Sequence, residues 1–406
     1  MLLIIRYPKF AAKYACAVGL LICFTQYTWA QNPTPTPAPV DVNIVAHQDD
    51  DILFMNPDIL NTVYIAGHRQ VTVYITGGNI GVASGTDYVL EREEGAIAGY
   101  SKLLQLADAK KKDPSHFHDL DADANPPPAQ TFATGDSRAP VDCSTACFAC
   151  AERACELATA GGAWVDGSGS DTRGQRGKMK IGARNLNVAT IGDGPDGPRV
   201  TLIFLRVDST SAVDGSPDGN EPPVTLAQLF TTPTQNGQPK IQSRFNQPGY
   251  TKQGLINQLV QILQLFQPDI VRTQDPADGH IVDYPNAEMI DDHGCPQTEP
   301  FRQDSYDHTD HVWGARFARE ALKKYDHLLN VKIPSTYATY MGYNVELNED
   351  QNYRLTSSDF CLKKSIFYRY GLHDASATIV NPASGGFDCY SYVGIGYQQS
   401  RQPALP

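Results

Sequence analysis

The segment at 199–207, RVTLIFLRV, is the strongest strand signal in the chain, and it belongs to a series of short apolar runs separated by helical patterns. VNIVA at 42–46 is one such run, QVTVYIT at 70–76 is rich in β-branched residues and stops at Gly77-Gly78, and DIVRT at 269–273 is a third. Residues 335–343 read as a late strand. Between these lie helical stretches at 88–106, with Leu90, Ile97, Leu103 and Leu104 on an inner face, at 254–266, stopped before Pro268, and at 311–328. Trp313 and Phe317, four apart, pack that last helix against a sheet.

Strands that alternate with helices at this spacing predict an α/β fold: a Rossmann-like, mostly parallel sheet with helices on both faces. With 41% hydrophobic residues in 406 the chain can fill such a core, and it lacks the composition of a collagen, a coiled coil or a disordered chain. Two stretches break the rhythm. Residues 110–184 are rich in Asp, Pro, Gly and Cys, and 208–249 in Pro, Gly, Thr and Gln; both are expected to be surface insertions in one domain spanning 41–400.

Residues 1–30 read as a signal peptide. Arg6, Lys9 and Lys13 precede the apolar run 14–24, and Thr28-Trp29-Ala30 supplies the cleavage site. The apolar run is about half the ~20 residues of a membrane span, so a secreted or periplasmic mature chain is expected. An uncleaved N-terminal tether is the alternative. The Pro/Thr-rich stretch 31–40 is an extended linker. No later stretch is apolar and long enough to cross a bilayer. The net charge of −12, with no basic stripe, argues against a nucleic-acid partner. In an exported chain the cysteines at 143, 147, 150, 155, 295, 361 and 389 read as disulfide partners rather than thiolate ligands, with one left over.

The residues that carry chemistry follow the first strand, in AHQDDD at 46–51, where open α/β sheets place their ligands. His47 and Asp50, three apart, can converge on one ion. A second pair, His308 and His311, stands just before a helix in YDHTDH. His47, Asp50 and one of these histidines make a set of two nitrogens and one oxygen that leaves a coordination position for water, as catalytic zinc sites do. Such an ion lowers the pKa of bound water to about 7. Asp49, lying between two ligands, is placed to act as general base, and the remaining histidine to protonate a leaving amine or steady an oxyanion. Other candidates carry less. His280 and His293, with Asp291-Asp292, fit a solvated loop. Asp275 could orient a ligand histidine or form a turn with Pro276. GQRGK at 174–178 is no phosphate loop, because Thr172 and Met179 stand where Gly and Ser or Thr are required, and 77–81 is no dinucleotide fingerprint but a substrate-side loop or a tight turn.

In combination, NIVAHQDDD, VTVYITGGN, LEREEGAIAGYSKLL, QPDIVRTQDP and YDHTDHVWGARFA resemble, in the same order, the motifs of the PIG-L/LmbE-like zinc deacetylases, which include N-acetylglucosaminyl-phosphatidylinositol de-N-acetylase. The resemblance runs from about 42 to 319, interrupted by the two insertions. It implies that His47, Asp50 and His311 bind zinc, or another divalent ion, that Asp49 is the base, and that His308 handles the tetrahedral intermediate or leaving amine. It further implies that Tyr306 serves the oxyanion and that Arg92 supports the site or contacts substrate. Gln48, Asp51 and Thr309 depart from the family's Pro, Glu and Pro, and 278–304 is longer than the usual link. The implied activity is removal of an N-acetyl group from an N-acetylglucosamine-containing small molecule or glycan. An amidase acting on a non-sugar conjugate and a non-catalytic carbohydrate-binding protein are the alternatives.

Overall fold

The computed structural model describes residues 37–56, 58–63, 67–78, 86–112, 175–209, 224–232, 239–243, 245, 248–276 and 307–342, with short pieces between 362 and 374 and at 380–381, 386–387 and 399–400. In chain order the elements that build the site are β1 (Val40–Val45), α1 (Asp50–Phe54), α2 (Asp58–Asn61), β2 (Arg69–Thr76), α3 (Thr86–Lys112), β3 (Gln175–Ile181), β4 (Arg184–Gly194) and β5 (Gly197–Val207). They are followed by α4 (Leu226–Thr231), α5 (Lys252–Phe266), β6 (Ile270–Gln274), α6 (Thr309–Asp326), β7 (Thr336–Tyr340), the two-residue strands β8 (Val380–Asn381) and β9 (Gly386–Phe387), and β10 (Gln399–Ser400).

Among these, eight strands form one sheet in the order β10-β7-β6-β1-β2-β5-β4-β3. β1 runs parallel to both β2 and β6, β2 to β5 and β6 to β7, while β3, β4 and β10 are antiparallel to their neighbours. The fold is the expected α/β class. Alternate residues explain the layering. Val42 and Ile44 of β1, Val71, Val73 and Ile75 of β2 and Ile203 and Leu205 of β5 face α4, α5 and α6. Val45, Tyr74, Val200, Leu202 and Phe204 face the opposite way, onto α1, α2 and α3. Phe317 is fully buried on α6 and Trp313 packs at the edge of the same cluster, as their spacing predicts.

Local chemistry sets the element ends. Thr251 caps α5 by accepting from Gly254 N at 3.1 Å, and the helix stops at Gln267, left-handed at φ 45°, immediately before Pro268. The helix at 88–106 is longer than the periodicity predicts, running from Thr86 to Lys112. One expectation needs correction. Residues 175–184, assigned above to a surface insertion, include β3, which pairs with β4 and extends the sheet beyond β5. β3 is QRGKMKI, mostly exposed on both faces, because it is an edge strand that needs charge rather than an apolar alternation.

The chain leaves β1 for β2 and β5 on one side and returns to β6 and β7 on the other. The C-terminal end of β1 is therefore a topological switch point, the place where open α/β sheets put their ligands. Beneath it, on the α1–α3 face, Arg272 of β6 is 2% exposed and clamps three elements together. Its Nη1 donates to Asp41 Oδ2 at 2.6 Å, Nε to Asp58 Oδ2 at 2.7 Å and Nη2 to Thr62 Oγ1 at 2.8 Å. Tyr340 of β7 donates to the same Asp58 Oδ2 at 2.6 Å. Removing one partner of such a network strands buried charge, so Arg272→Ala is expected to lower the unfolding free energy by about 3–5 kcal/mol. Urea unfolding followed by circular dichroism measures it; a midpoint unchanged from the parent chain contradicts the assignment.

Candidate metal centre

Three elements deliver side chains to the switch point. The loop after β1 carries His47 and Asp49, with Asp50 as the first residue of α1. The segment that follows β5 carries Ser209, two residues past the strand's last residue, Val207. The N-terminus of α6 carries His308 as its cap, then Asp310 and His311 in the first turn. His47, Asp50, His308 and His311 are each at most 3% exposed.

His47 Nδ1 lies 3.2 Å from His311 Nε2, although 264 residues separate them in the chain. His311 Nε2 is 2.9 Å from Asp50 Oδ1, and His47 Nδ1 is 3.4 Å from the same oxygen. Ligands around a tetrahedral ion at about 2.0–2.1 Å stand about 3.3 Å from one another. The triangle has the footprint of one cation. The outer atoms of each group are already committed: Asp50 Oδ2 accepts from His47 N at 2.6 Å, and His311 Nδ1 meets Asp307 Oδ1 at 2.8 Å. His47 Nε2 meets Ser209 Oγ at 3.3 Å and Asp310 Oδ2 at 3.4 Å. The inner lone pairs therefore converge, a donor set that fits a divalent ion.

The protonation equilibria tell the same story. Burial disfavours ionisation of Asp50, but His311 and His47 hold its pKa well below the ordinary carboxylate range. Burial also opposes charge on both histidines. Asp50 with Asp307 nonetheless lifts His311 well above the usual imidazole value, and Asp50 with Asp310 raises His47. His308 behaves oppositely: burial and the neighbouring His47 push its pKa well below the usual imidazole value. Asp310 N donates to His308 Nδ1 at 3.1 Å, which leaves the ring proton on Nε2. The His308 ring stands edge-on to His47 with centroids 4.7 Å apart. His47, His308 and His311 form one group able to hold an ion; His47, Asp49 and Asp50 form another.

Asp49 is more open than its neighbours, its side chain 17% exposed. Arg92 Nη2 of α3 pairs with its carboxylate, while Arg92 Nη1 donates to Gly78 O at 2.9 Å and Nε to Tyr370 OH at 2.7 Å. Asp374 Oδ2 lies 3.1 Å from the same Nε and accepts from Tyr370. Burial raises the pKa of Asp49, and Arg92 opposes that rise. Gly78 has φ +60°, and a Cβ there would stand 2.3 Å from Arg92 Nη1, so only glycine lets the guanidinium reach this carbonyl. Asp51 points away from the triangle. It accepts from Tyr100 and Tyr74, and burial pushes its pKa up to about 7. Gln48 donates to Thr76 O at 3.1 Å and ties the loop to β2.

Of the residues singled out from sequence, the structure brings together His47, Asp49, Asp50, His308, His311 and Arg92. Tyr306, His280, His293 and the seven later cysteines lie outside the described residues, as does the N-terminal leader. Asp275 bonds through its backbone N to Tyr340 O at 2.9 Å; the acceptors that meet His311 and His47 are Asp307 and Asp310. Sequence reasoning missed these two, Ser209, and the Tyr370–Asp374 pair. The four-residue spacing of Asp307 and His311 at a helix start was the signal for the first. Nothing in the sequence marks the others.

Fold and site together define an α/β protein with a His/Asp centre compatible with a divalent cation. No family profile matches the chain, and no curated protein does. Among solved structures, the 4-carboxy-2-hydroxymuconate hydratase GalB of Pseudomonas putida KT2440 aligns with 91% of this chain and 98% of its own at 10% identity. The TM-score is 0.35, too low to carry any argument about this chain.

Purified protein is expected to bind one divalent ion per chain, by elemental analysis. His311→Ala should abolish the binding, whereas Asp307→Asn should weaken it about 10–100-fold in chelator competition. Unaltered affinity in His311→Ala would refute the donor set.

Proposed function

We propose that this chain is an exported zinc-dependent hydrolase that removes an N-acetyl group from an N-acetylglucosamine-containing substrate. The observation that carries the reading is the triangle of His47 Nδ1, Asp50 Oδ1 and His311 Nε2, with the Asp49 carboxylate beside it. The motif resemblance supplies the substrate class, and the basic-apolar N-terminal segment supplies export. His47, Asp50 and His311 would hold the ion. When bound, it supplies a Lewis acid and a water acidified towards neutral pH.

The protein's own groups do the rest. Asp49 accepts the proton of the attacking water and passes it towards the leaving amine. Arg92 restricts its carboxylate to one orientation, and the Tyr370–Asp374 pair restricts Arg92 in turn. His308, neutral with its proton on Nε2, is set up to donate a hydrogen bond to the oxyanion that develops on the amide carbonyl. Because the donor is fixed before reaction, little reorganisation accompanies charge development.

Amine release from a panel of N-acetylated amino sugars and acyl peptides tests the reading. Release from amino sugars supports it; release confined to acyl peptides replaces it with an amidase on a non-sugar conjugate; glycan binding with no release by the metal-loaded chain refutes hydrolysis. Asp49→Ala is expected to keep its ion and lose about 10²–10⁴ in turnover. Arg92→Met should also keep the ion and lower kcat, since it frees Asp49 without touching a ligand.

A further inference from the structure

We infer that Ser209, acting with Asp310, is a positioning residue that fixes which nitrogen of His47 faces the cation, so that the two ligand histidines bind through opposite ring nitrogens: Nδ1 of His47 and Nε2 of His311. The inference rests on the metal-centre reading above. It concerns residues that the motif resemblance leaves without a role.

Hydrogen-bond accounting carries it. Ser209 has one hydroxyl proton, and it donates that proton to Asp310 Oδ2 at 2.8 Å. The serine oxygen then meets His47 Nε2, 3.3 Å away, as an acceptor, and Asp310 Oδ2, 3.4 Å from the same nitrogen, is an acceptor too. Both neighbours require His47 to carry its proton on Nε2. The lone pair is left on Nδ1, the atom that faces His311 Nε2 and Asp50 Oδ1. Across the site the order is reversed. Asp307 Oδ1 takes the proton of His311 Nδ1, leaving Nε2 for the ion.

The pair is buried, with Ser209 4% and Asp310 0% exposed, so solvent does not compete for the Nε2 proton. It also joins two distant parts of the chain, since Ser209 lies two residues past the end of β5 and Asp310 stands in the first turn of α6. Asp310 acts twice: its carboxylate orients the proton of His47, and its backbone N–H orients that of His308. A lone aspartate 3.4 Å from the imidazole would orient it weakly; the serine hydroxyl adds a second acceptor and locks the carboxylate rotamer.

The experiment loads the full mature chain with cadmium-113 and reads metal–nitrogen couplings in ¹⁵N-histidine-labelled protein. The expected pattern is coupling at His47 Nδ1 and His311 Nε2, with a slowly exchanging proton on His47 Nε2. Coupling at His47 Nε2 overturns the inference while leaving a metal centre in place. Zinc affinity by chelator competition is the second arm. Ser209→Ala should bind about 10–100-fold more weakly and Ser209→Thr, which keeps the hydroxyl, close to the parent chain. Parent-like affinity in Ser209→Ala overturns the inference, as does equal weakening in both variants. Failure to take up any ion overturns this inference and the metal centre together. The expected couplings without amine release would refute the hydrolase reading alone.

Discussion

Two imidazole nitrogens and a carboxylate oxygen that face one another, buried, at 2.9–3.4 Å repel unless positive charge lies among them. That constraint organises the centre of this molecule. Each of the three groups is held from behind so that it cannot turn away: Asp50 by the backbone of His47, His311 by Asp307, and His47 by Ser209 and Asp310. The same arrangement that makes the inner face hungry for a cation makes the outer face rigid.

The rigidity comes from an unexpected place. Adjacent residues of α3 turn to different partners. Arg92 reaches Asp49, Gly78 and Tyr370, and Glu93, fully buried, accepts from Arg206 Nε and Nη2 at 2.6 and 2.7 Å and from Arg176 at 2.8 Å. Arg206 sits at φ 56°, at the irregularity where β5 leaves its register with β2, just before the segment that delivers Ser209. One helix thus braces both the loop after β1 and the end of β5. Through Tyr370 and Asp374 it also draws the late part of the chain to the site, although those residues lie nearly three hundred positions from Arg92 in sequence.

The sheet's parallel heart was legible because its strands announce themselves: β1, β2, β5 and β6 are largely buried and rich in Val, Ile and other apolar residues. β3 and β4 were not read, because an edge hairpin with one solvated strand carries Arg, Lys and Gly where periodicity would need Val or Ile. The site divides the same way. His47, Asp49, Asp50, His308 and His311 stand in two dense motifs whose chemistry is readable at a glance, and Arg92 was reached through the motif of its helix. Asp307 and Asp310 sat inside one of those motifs yet were passed over, since a carboxylate next to a histidine in sequence says nothing about which ring nitrogen it will meet.

The sequence by itself determined the α/β class, the approximate strands of the sheet's centre and the residue types able to grip an ion, because these follow from local periodicity and side-chain chemistry. Only the tertiary structure decided that the two motifs share one point, which nitrogen of each histidine turns inward, and that Ser209, Tyr370 and Asp374 take part. Those outcomes depend on strand order and on hydrogen bonds between segments far apart in the chain. Strand order in turn is fixed by how the two faces of the sheet are covered, a property of the whole fold that no short stretch of residues contains.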